Sequence, residues 1–253
     1  MARRQRLDAE LVRRGLVSTR ADAVRSIETM RVLVNGAVAD KASRQVHPGD
    51  AIVLVGPGPR FVSRGGEKLD AALERFQLEV RGLSVLDAGA STGGFTDCLL
   101  QRGATRVVAL DVGHGQLHPK IRDDPRVLVL ERFHVRDVTP DAIGGRVDAA
   151  VADLSFISLT RVLAPLVGVC VPGAPLVLLV KPQFEAGRVE VSRGHGIISD
   201  PAIHERVCAE VEAALVAEGC EVVGRMDSPI SGSDGNREFL VFARVPRSGF
   251  DRD

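Results

Sequence analysis

Two charged residues, Asp153 and Lys181, each stand directly after an apolar segment that reads as a buried strand. The two segments are residues 147–152 and 175–180. Ligands of open α/β sheets bind at the carboxyl ends of the strands, so we expect both side chains at that edge. Pro182 ends the second strand at once and fixes the lysine at the rim. Such a pair can move a proton or stabilise a developing oxyanion, or it can be an ion pair that only closes the sheet edge.

Two further charged residues carry less information when each is taken alone. Lys68 lies one turn into a helix predicted over residues 66–76, after a Gly-Gly break, and most helical lysines are simply solvated. Glu238 opens the last predicted strand, residues 238–245, where an acid can also serve only to prevent edge-to-edge aggregation.

A glycine-rich turn follows the apolar residues 83–86, and it reads Asp-Ala-Gly-Ala-Ser-Thr-Gly-Gly-Phe over residues 87–95. A strand, a glycine turn and a helix, here predicted over 94–103, form the usual cofactor site of an α/β sheet. The spacing is not Gly-x-Gly-x-x-Gly, and the acid at the start would repel a pyrophosphate. The turn therefore argues against a nicotinamide-dependent oxidoreductase and favours a cationic or zwitterionic cofactor, S-adenosylmethionine.

An acid at the end of the next strand, Asp111 in residues 106–111, is placed to accept hydrogen bonds from ribose hydroxyls, although a solvated loop acid would look the same. The predicted cofactor-binding residues are Asp87, Gly89, Ser91, Thr92, Gly93, Gly94, Phe95 and Asp111.

The alternation of strands and helices beyond residue 60 predicts an α/β fold with a mostly parallel sheet covered on both faces. Further strands are expected at 127–131 and 220–227, and further helices at 158–170 and 200–217. The last two strands should form an antiparallel hairpin at one edge of the sheet. Residues 185–199 are expected to be a long mobile loop near the site. The charge-free run 162–180 contains Pro-Gly-Ala-Pro and reads as a helix, a turn and a strand rather than a membrane span.

The first 60 residues are basic, with eleven Lys and Arg against six Asp and Glu, whereas the remainder carries 22 against 27. Two short helices, an Asn35-Gly36 turn and a few short strands are expected before the stiff break at residues 56–59. Such a module suits a polyanion, although a solvated basic face is the alternative. Because aromatic residues are few, we expect phosphate contacts and recognition of folded RNA by shape. The arginines assigned to this role are Arg3, Arg4, Arg6, Arg14, Arg20, Arg25 and Arg64, with Arg13 in the same cluster.

The four cysteines are widely spaced and read as core residues, which suits a reducing cytoplasm, and the start of the chain shows no apolar signal segment. No spacing of His, Cys and Asp predicts a metal site. We therefore expect a cytoplasmic, metal-free protein with no membrane partner, and a monomer.

The order Lys68, Asp153, Lys181, Glu238 resembles the Lys-Asp-Lys-Glu tetrad of the RNA ribose 2′-O-methyltransferases. The wider sequence resembles the TlyA (hemolysin A) family of ribosomal RNA methyltransferases from about residue 3 to 245. The motifs that carry the resemblance are Arg6-Leu-Asp, Val62-Ser-Arg-Gly-Gly, Asp87-Ala-Gly-Ala-Ser-Thr-Gly-Gly-Phe-Thr, Asp111-Val-Gly-His-Gly-Gln-Leu, Asp153-Leu-Ser-Phe-Ile-Ser-Leu and Lys181-Pro-Gln-Phe-Glu.

The resemblance implies a Rossmann-like seven-stranded methyltransferase sheet and transfer of a methyl group from S-adenosylmethionine to the 2′-hydroxyl of cytidine in 16S or 23S ribosomal RNA, or both, within ribosomal subunits. It also implies a small α+β RNA-binding domain of the ribosomal protein S-four type over residues 1–58, a linker over 59–65, the methyltransferase domain over 66–246 and a tail over 247–253.

In that reaction we expect Lys181 to act as base or to stabilise the alkoxide, Asp153 and Glu238 to orient the lysines, and Lys68 to hold ribose or phosphate. Two positions depart from the family pattern. Met30 stands where a glycine usually ends the second helix, and His134 replaces the Asn of Glu-Arg-x-Asn. Two other functions remain open, namely an RNA- or ribosome-binding protein with a non-catalytic body and a membrane-lytic protein. The absence of an amphipathic pore segment counts against lysis.

Overall fold

The structure is a computed structural model that describes residues 4–232 and 234–247, except for the side chains of Arg188 and Arg193. The chain divides into two compact units, Met1–Val62 and Ser63–Asp253. The division falls within the stretch predicted as a linker, residues 59–65, and each unit has its own hydrophobic core.

The first unit is a small α+β fold. Its elements are β1 (Gln5–Arg6), α1 (Leu7–Arg13), α2 (Arg20–Glu28), β2 (Val32–Val34), β3 (Ala37–Val38), β4 (Gln45–Val46) and β5 (Ile52–Leu54). Strand β1 pairs with β4, and a second sheet has the order β3-β2-β5. The two helices pack Leu7, Leu11 and Ile27 into the core of this unit.

Local residue chemistry explains the turns of this unit. Thr19 begins α2 with a capping box, because its hydroxyl accepts from Asp22 N while the Asp22 carboxylate accepts from Thr19 N. Asn35 and Gly36 both have positive φ, as the predicted two-residue hairpin turn requires. Met30 follows α2 and has a left-handed backbone with φ +57°. A glycine would adopt this conformation without strain, whereas the methionine side chain costs about 1 kcal/mol.

The second unit contains the sheet that positions the site. Its strands are β6 (Ser84–Ala88), β7 (Arg106–Asp111), β8 (Val127–Glu131), β9 (Ala149–Ala152), β10 (Pro175–Val180), β11 (Glu221–Asp227) and β12 (Phe239–Arg244). Its helices are α3 (Gly65–Arg75), α4 (Gly94–Gln101), α5 (Pro119–Arg122), α6 (Leu163–Gly168), α7 (Pro182–Glu185), α8 (Arg188–Arg193) and α9 (Pro201–Ala217), with 3₁₀ turns at Val135–Asp137 and Leu159–Arg161.

The seven strands form one sheet in the order β11-β12-β10-β9-β6-β7-β8. Strands β8, β7, β6, β9 and β10 are parallel, and β12 is antiparallel to both β10 and β11. The predicted α/β fold with an antiparallel hairpin at one edge is therefore confirmed. The chain proceeds from β6 to one side of the sheet and from β9 to the other, so the strand order reverses between these two neighbours. A reversal of this kind opens a crevice at the carboxyl ends of the strands.

Two predicted elements differ from the structure. The single helix expected over 158–170 is a 3₁₀ turn followed by the short α6, because the backbone at Val162 has φ −129° and interrupts the helix. The expected loop over 185–199 contains α8, which begins where the Glu190 carboxylate accepts a hydrogen bond from Gly187 N. The charge-free run 162–180 forms the predicted helix, turn and strand. Within the described part of the chain, none of the helices has the length and apolar character needed to cross a membrane.

Candidate active site

The first ion pair of the site joins the ends of β9 and β10. Lys181 Nζ lies 2.5 Å from Asp153 Oδ1 and 3.0 Å from Ser155 Oγ. The parallel register that places Leu178 beside Ala152 brings the residues after both strands to the same edge. The Lys181 and Asp153 side chains are only 11% and 21% exposed, so the pair is set into the sheet edge rather than into bulk water.

The second ion pair joins Lys68 on α3 to Glu238, which directly precedes β12. Both side chains are almost completely buried. Because β12 runs antiparallel to β10 and Phe239 pairs with Val180, the start of β12 lies at the end of β10. Helix α3 begins close to the first pair, since a Cβ on Gly65 would sit 3.7 Å from Asp153 Oδ2. The structure therefore brings all four predicted charged residues to one edge of the sheet.

The residue type at these positions is informative. The chain contains 29 arginines but only four lysines, and two of the four lysines belong to these ion pairs. Arginine remains protonated at all physiological pH values, whereas a lysine can give up and take back a proton. A site built with lysines in an arginine-rich chain suits proton handling at an oxygen atom.

Two cavities open at this edge. The larger one, about 440 Å³, is called here the Asp111 cavity, and it is bounded by the ends of β6, β7 and β9. The smaller one, about 160 Å³, is called the lysine cavity, and it contains Lys68 and Lys181. Four residues line both cavities: Gly89, Ser91, Asp153 and Ser155. The two cavities therefore adjoin, so a group bound in one can react with a group bound in the other.

The glycine turn forms the wall between the cavities. Gly89 has φ +87°, and a Cβ there would lie 2.5 Å from Asp153 O. A Cβ on Gly94 would lie 2.9 Å from Gly66 N, so this glycine lets α4 pack closely against α3. The lining of the lysine cavity includes Gly94 and Phe95, whereas Thr92 and Gly93 line neither cavity. Thr92 O accepts from His118 N, and Gly93 packs against Leu117 and Ile121.

Asp111 shapes the larger cavity from inside. Its Oδ1 accepts from Gly113 N at 2.6 Å, and its Oδ2 accepts from Ser91 N at 2.8 Å. The carboxylate thus ties together two loops that line the cavity, and its remaining lone pairs are available to hydroxyl donors. Apolar side chains, including a Val112 that is 70% exposed, complete the wall. A carboxylate beside uncovered apolar surface fits an adenosyl group, whose ribose has hydroxyls and whose adenine ring has flat apolar faces.

Asp87 is predicted to bind the cofactor, but its side chain does not line either cavity. It is completely buried, because its strand position directs the side chain toward α4, where Thr96 Oγ1 donates to Oδ2 at 2.6 Å. Its Oδ1 has no hydrogen-bond partner among the described residues. Burial raises the pKa of Asp87 to about 7, and the Thr96 hydrogen bond opposes that rise. Asp87 therefore connects β6 to α4, the two elements that the glycine turn joins.

Phe156 is a residue of the site that the sequence reasoning missed. It is 91% exposed, has φ +64° and lines the Asp111 cavity next to Ser155. Its ring centroid lies 5.2 Å from that of Phe184. A large aromatic ring held in a strained backbone and left in solvent is a signature of a binding surface.

Comparison with known proteins agrees with this geometry. Residues 61–245 match the family model for FtsJ-like methyltransferases, and residues 5–52 match the S4 domain. The chain is 50% identical over 246 residues to the 16S/23S rRNA (cytidine-2′-O)-methyltransferase TlyA of Mycobacterium tuberculosis, covering 97% of this chain and 91% of the relative. The chain belongs to the TlyA family of FtsJ-like methyltransferases.

Other TlyA relatives carry a different name. Hemolysin A of Brachyspira hyodysenteriae is 40% identical, with 93% of this chain and 98% of the relative covered. A solved structure from Streptococcus thermophilus, titled as a hemolysin, superimposes with a TM-score of 0.77 at 42% identity, covering 98% of this chain and 90% of the other. The predicted family and the prediction of a methyltransferase enzyme are confirmed.

The arginines of the S4 domain differ in their surroundings. Arg6 and Arg20 share the buried carboxylate of Asp8 and remain 48% and 63% exposed. Arg14 is less exposed and donates to Asp50 O and Pro48 O, and Arg25 donates to Phe61 O. Arg14 and Arg25 thus have structural partners inside this TlyA-family domain.

The remaining predicted RNA contacts are placed as follows. Arg4 is exposed, Arg13 pairs with the buried Glu10, and Arg3 lies outside the described residues. Arg64, in the methyltransferase unit, is exposed and donates to Ser231 O. Among the described residues, no group of three or more His, Cys, Asp or Glu side chains could hold a metal ion.

Proposed function

We propose that this TlyA-family member transfers a methyl group from S-adenosylmethionine to a ribose 2′-hydroxyl of ribosomal RNA. The observation that carries the proposal is the pair of lysine–carboxylate contacts in a cavity that adjoins the Asp111 cavity through Gly89, Ser91, Asp153 and Ser155. The acceptor is taken to be a cytidine of 16S RNA, 23S RNA or both, as in the relative from Mycobacterium tuberculosis.

The Asp111 cavity would hold the donor, with the Asp111 carboxylate accepting from the ribose hydroxyls and the apolar wall contacting the purine. S-adenosylmethionine supplies a methyl group on a positively charged sulfur, which leaves as a neutral thioether. Gly89 and Ser91 in the shared wall keep side-chain bulk away from the junction where the methyl group must face the acceptor.

The lysine cavity would prepare the acceptor. A ribose hydroxyl is a weak acid, so its proton must leave as the oxygen–carbon bond forms. The Lys181 amino nitrogen has three positions for a hydrogen or a lone pair. Two of them face Asp153 and Ser155, and the third is available to the acceptor oxygen. As a neutral amine Lys181 takes the proton itself, and as an ammonium it stabilises the alkoxide while water takes the proton.

The other charged residues would position the acceptor. Asp153 holds Lys181 at the junction, and the buried Glu238 holds Lys68 beside it. Lys68 then places a positive charge where a ribose or phosphate oxygen enters the cavity. The exposed ring of Phe156 offers a surface on which the base of the target nucleotide can stack.

We assign RNA binding to the S4 domain, residues 1–58, and catalysis to residues 66–246. A guanidinium has five N–H donors, so Arg6 and Arg20 retain donors for phosphate while paired with Asp8. Arg4 is exposed and can extend this contact, whereas Arg14 and Arg25 would act through the shape of the domain. Arg64, in the methyltransferase unit, is exposed and is proposed as a separate phosphate contact.

The test uses ribosomal subunits from a strain that lacks the enzyme. Purified protein and labelled S-adenosylmethionine are mixed with small subunits, large subunits and their free RNAs. We expect label to enter RNA in at least one subunit, and Arg6→Ala with Arg20→Ala to weaken subunit binding. Tight binding of subunits without any transfer would instead support an RNA-binding protein with a non-catalytic body.

A further inference from the structure

A partly buried carboxylate links the two loops that carry the first ion pair. Glu185, the last residue of α7, accepts a hydrogen bond from Ser158 Oγ at 2.6 Å through Oε2 and from Leu159 N at 2.8 Å through Oε1. Helix α7 starts directly after Lys181, and Ser158 closes the loop that starts at Asp153. Glu185 thus connects the segment after β10 to the segment after β9.

The loop between these attachments forms a shared wall. Residues 153–157 line the Asp111 cavity, and Asp153 and Ser155 also line the lysine cavity and contact Lys181. The start of the loop is fixed to the sheet by Asp153 N, which donates to Ala88 O at 3.0 Å. Glu185 fixes the other end, so the loop is held on both sides of the reacting position.

The loop contains strain that requires such support. Phe156 has a left-handed φ of +64°, which for a bulky side chain costs about 1–2 kcal/mol. A strained conformation persists only where its surroundings determine it from more than one side. The contact between the Phe156 and Phe184 rings, on the loop and on α7, supplies a second attachment between the same two segments.

The environment of Glu185 also points to a specific task. Among the described residues, none of the lysine or arginine side chains forms an ion pair with it, and burial raises its pKa above the ordinary value. Withdrawing a carboxylate from water without a cation beside it costs free energy unless hydrogen bonds compensate for the loss. Its two hydrogen bonds to the loop are the compensation that the structure shows.

We propose that Glu185 is a positioning residue that holds the wall 153–157 in the geometry needed to align Lys181, Asp153 and the target nucleotide. The inference rests on the proposed methyl transfer, since it assigns Glu185 a part in the same site. Glu185 acts through its two hydrogen-bond acceptors, and its negative charge is dispensable. A glutamine can replace it, because its Oε1 accepts from Leu159 N while its Nε2 donates to Ser158 Oγ.

The test compares Glu185→Ala, Glu185→Gln and Ser158→Ala with the wild type and with Glu205→Ala, which removes an exposed carboxylate on α9 that pairs with Arg225. We expect Glu185→Ala to lower kcat about 10- to 100-fold, as misplaced catalytic groups do. Ser158→Ala, which leaves the Leu159 contact, should fall between Glu185→Ala and wild type. Glu185→Gln should restore kcat to nearly the wild-type value, and Glu205→Ala should leave it unchanged.

A second readout does not depend on activity. Amide hydrogen exchange at residues 153–159 should accelerate in Glu185→Ala and in Ser158→Ala, and should stay slow in Glu185→Gln. A wild-type rate and wild-type exchange in Glu185→Ala would overturn the inference, and so would a glutamine variant as impaired as the alanine variant. If Glu185→Ala does not fold, Ser158→Ala decides by the same two measurements. If the exchange pattern is as expected but the wild type transfers no methyl group, the proposed function is wrong. Glu185 then stabilises the loop at residues 153–157 without a role in methyl transfer.

Discussion

The Asp111 cavity and the lysine cavity adjoin, yet they are built in different ways. The wall of the Asp111 cavity combines apolar side chains with backbone that is shaped by the turn at Gly89 and by the two amides that Asp111 holds. The lysine cavity is lined by charged side chains from three separate places, Lys68, Asp153 and Lys181, and Glu238 pairs with Lys68. We infer that the first supplies shape and affinity for the donor, while the second supplies the chemistry at the acceptor.

This difference implies that the two cavities can be damaged independently. A change in the lysine cavity should alter the rate of transfer and spare the donor affinity. A change in the Asp111 cavity should do the reverse. The exceptions are the four residues that line both cavities, Gly89, Ser91, Asp153 and Ser155.

The largest effect should come from Lys181→Ala. We expect methyl transfer to fall about 10³- to 10⁴-fold, because the side chain proposed to face the acceptor oxygen is removed. Calorimetry should give an unchanged affinity for S-adenosylmethionine. The control is Lys120→Ala, an exposed lysine paired with Asp97. Transfer by Lys181→Ala at the rate of this control would refute the assignment of chemistry to the lysine cavity.

The second effect concerns the buried Asp87 and the pH dependence of the free energy of unfolding. Burial raises the pKa of Asp87 to about 7, whereas an unfolded aspartate titrates near about 3.9. The folded protein therefore holds this proton more tightly, so this group favours folding most below about pH 4 and progressively less as the pH rises to 7. The difference between the folded and unfolded pKa values of Asp87 corresponds to up to about 4 kcal/mol of unfolding free energy.

Urea unfolding of the wild type and of Asp87→Asn, from pH 4 to pH 8, measures this effect. The variant should gain stability relative to the wild type as the pH increases. Asp124→Asn provides a control, because Arg126 lowers the pKa of Asp124 and its difference from the wild type should stay nearly constant over this range. This carboxylate contributes stability above its unfolded pKa of about 3.9 and loses it only at lower pH. A constant difference between the wild type and Asp87→Asn over this range would exclude titration of Asp87.

The third effect tests the shared wall through Gly89→Ala. The new Cβ would lie 2.5 Å from Asp153 O in a backbone with φ +87°, so we expect a loss of about 2 kcal/mol in the free energy of unfolding. Donor affinity and transfer rate should both decrease, since Asp153 would shift. Gly145→Ala is the matched control, because φ there is +115° and the added Cβ meets no atom within 4 Å. If both variants bind the donor equally well, the close contact at Gly89 does not shape the cavity.

The smallest effect should come from Asp111→Asn. An amide has a single acceptor oxygen, so one of the bonds from Ser91 N and Gly113 N is lost. Donor affinity should fall about tenfold, or about 1.4 kcal/mol. The transfer rate at saturating donor should be retained. Asp123→Asn, at an exposed position, serves as control. A lowered saturated rate with normal affinity would contradict the separation of the two cavities.

The cavities also differ in how far the sequence predicts them. The glycine turn is contiguous, so residues 87–95 indicate a cofactor site by themselves. The four charged residues are 170 positions apart at the extremes, and their common location follows only from the sheet order and from the antiparallel register of Phe239 with Val180. From the sequence, these four residues can be assigned to one site only by the resemblance to the Lys-Asp-Lys-Glu tetrad.

The features that sequence reasoning missed depend on side-chain direction or on tertiary contacts. Asp87 resembles a ligand residue in the motif, but the alternation of side chains along β6 directs it into the core. Phe156 resembles a core residue in an apolar stretch, but a positive φ turns it outward. Arg14 belongs to a basic cluster, but carbonyl oxygens more than 30 positions away bind it. No local pattern carries this information.

The chemical identity of the product tests the central claim most directly. Ribosomal RNA methylated by the purified protein with isotope-labelled S-adenosylmethionine is digested to nucleosides and analysed by mass spectrometry. The label should appear as 2′-O-methylcytidine, with the added mass on the ribose fragment, and should be absent with Lys181→Ala. A labelled methyl group on a base, or labelled RNA produced equally by Lys181→Ala, would contradict the account.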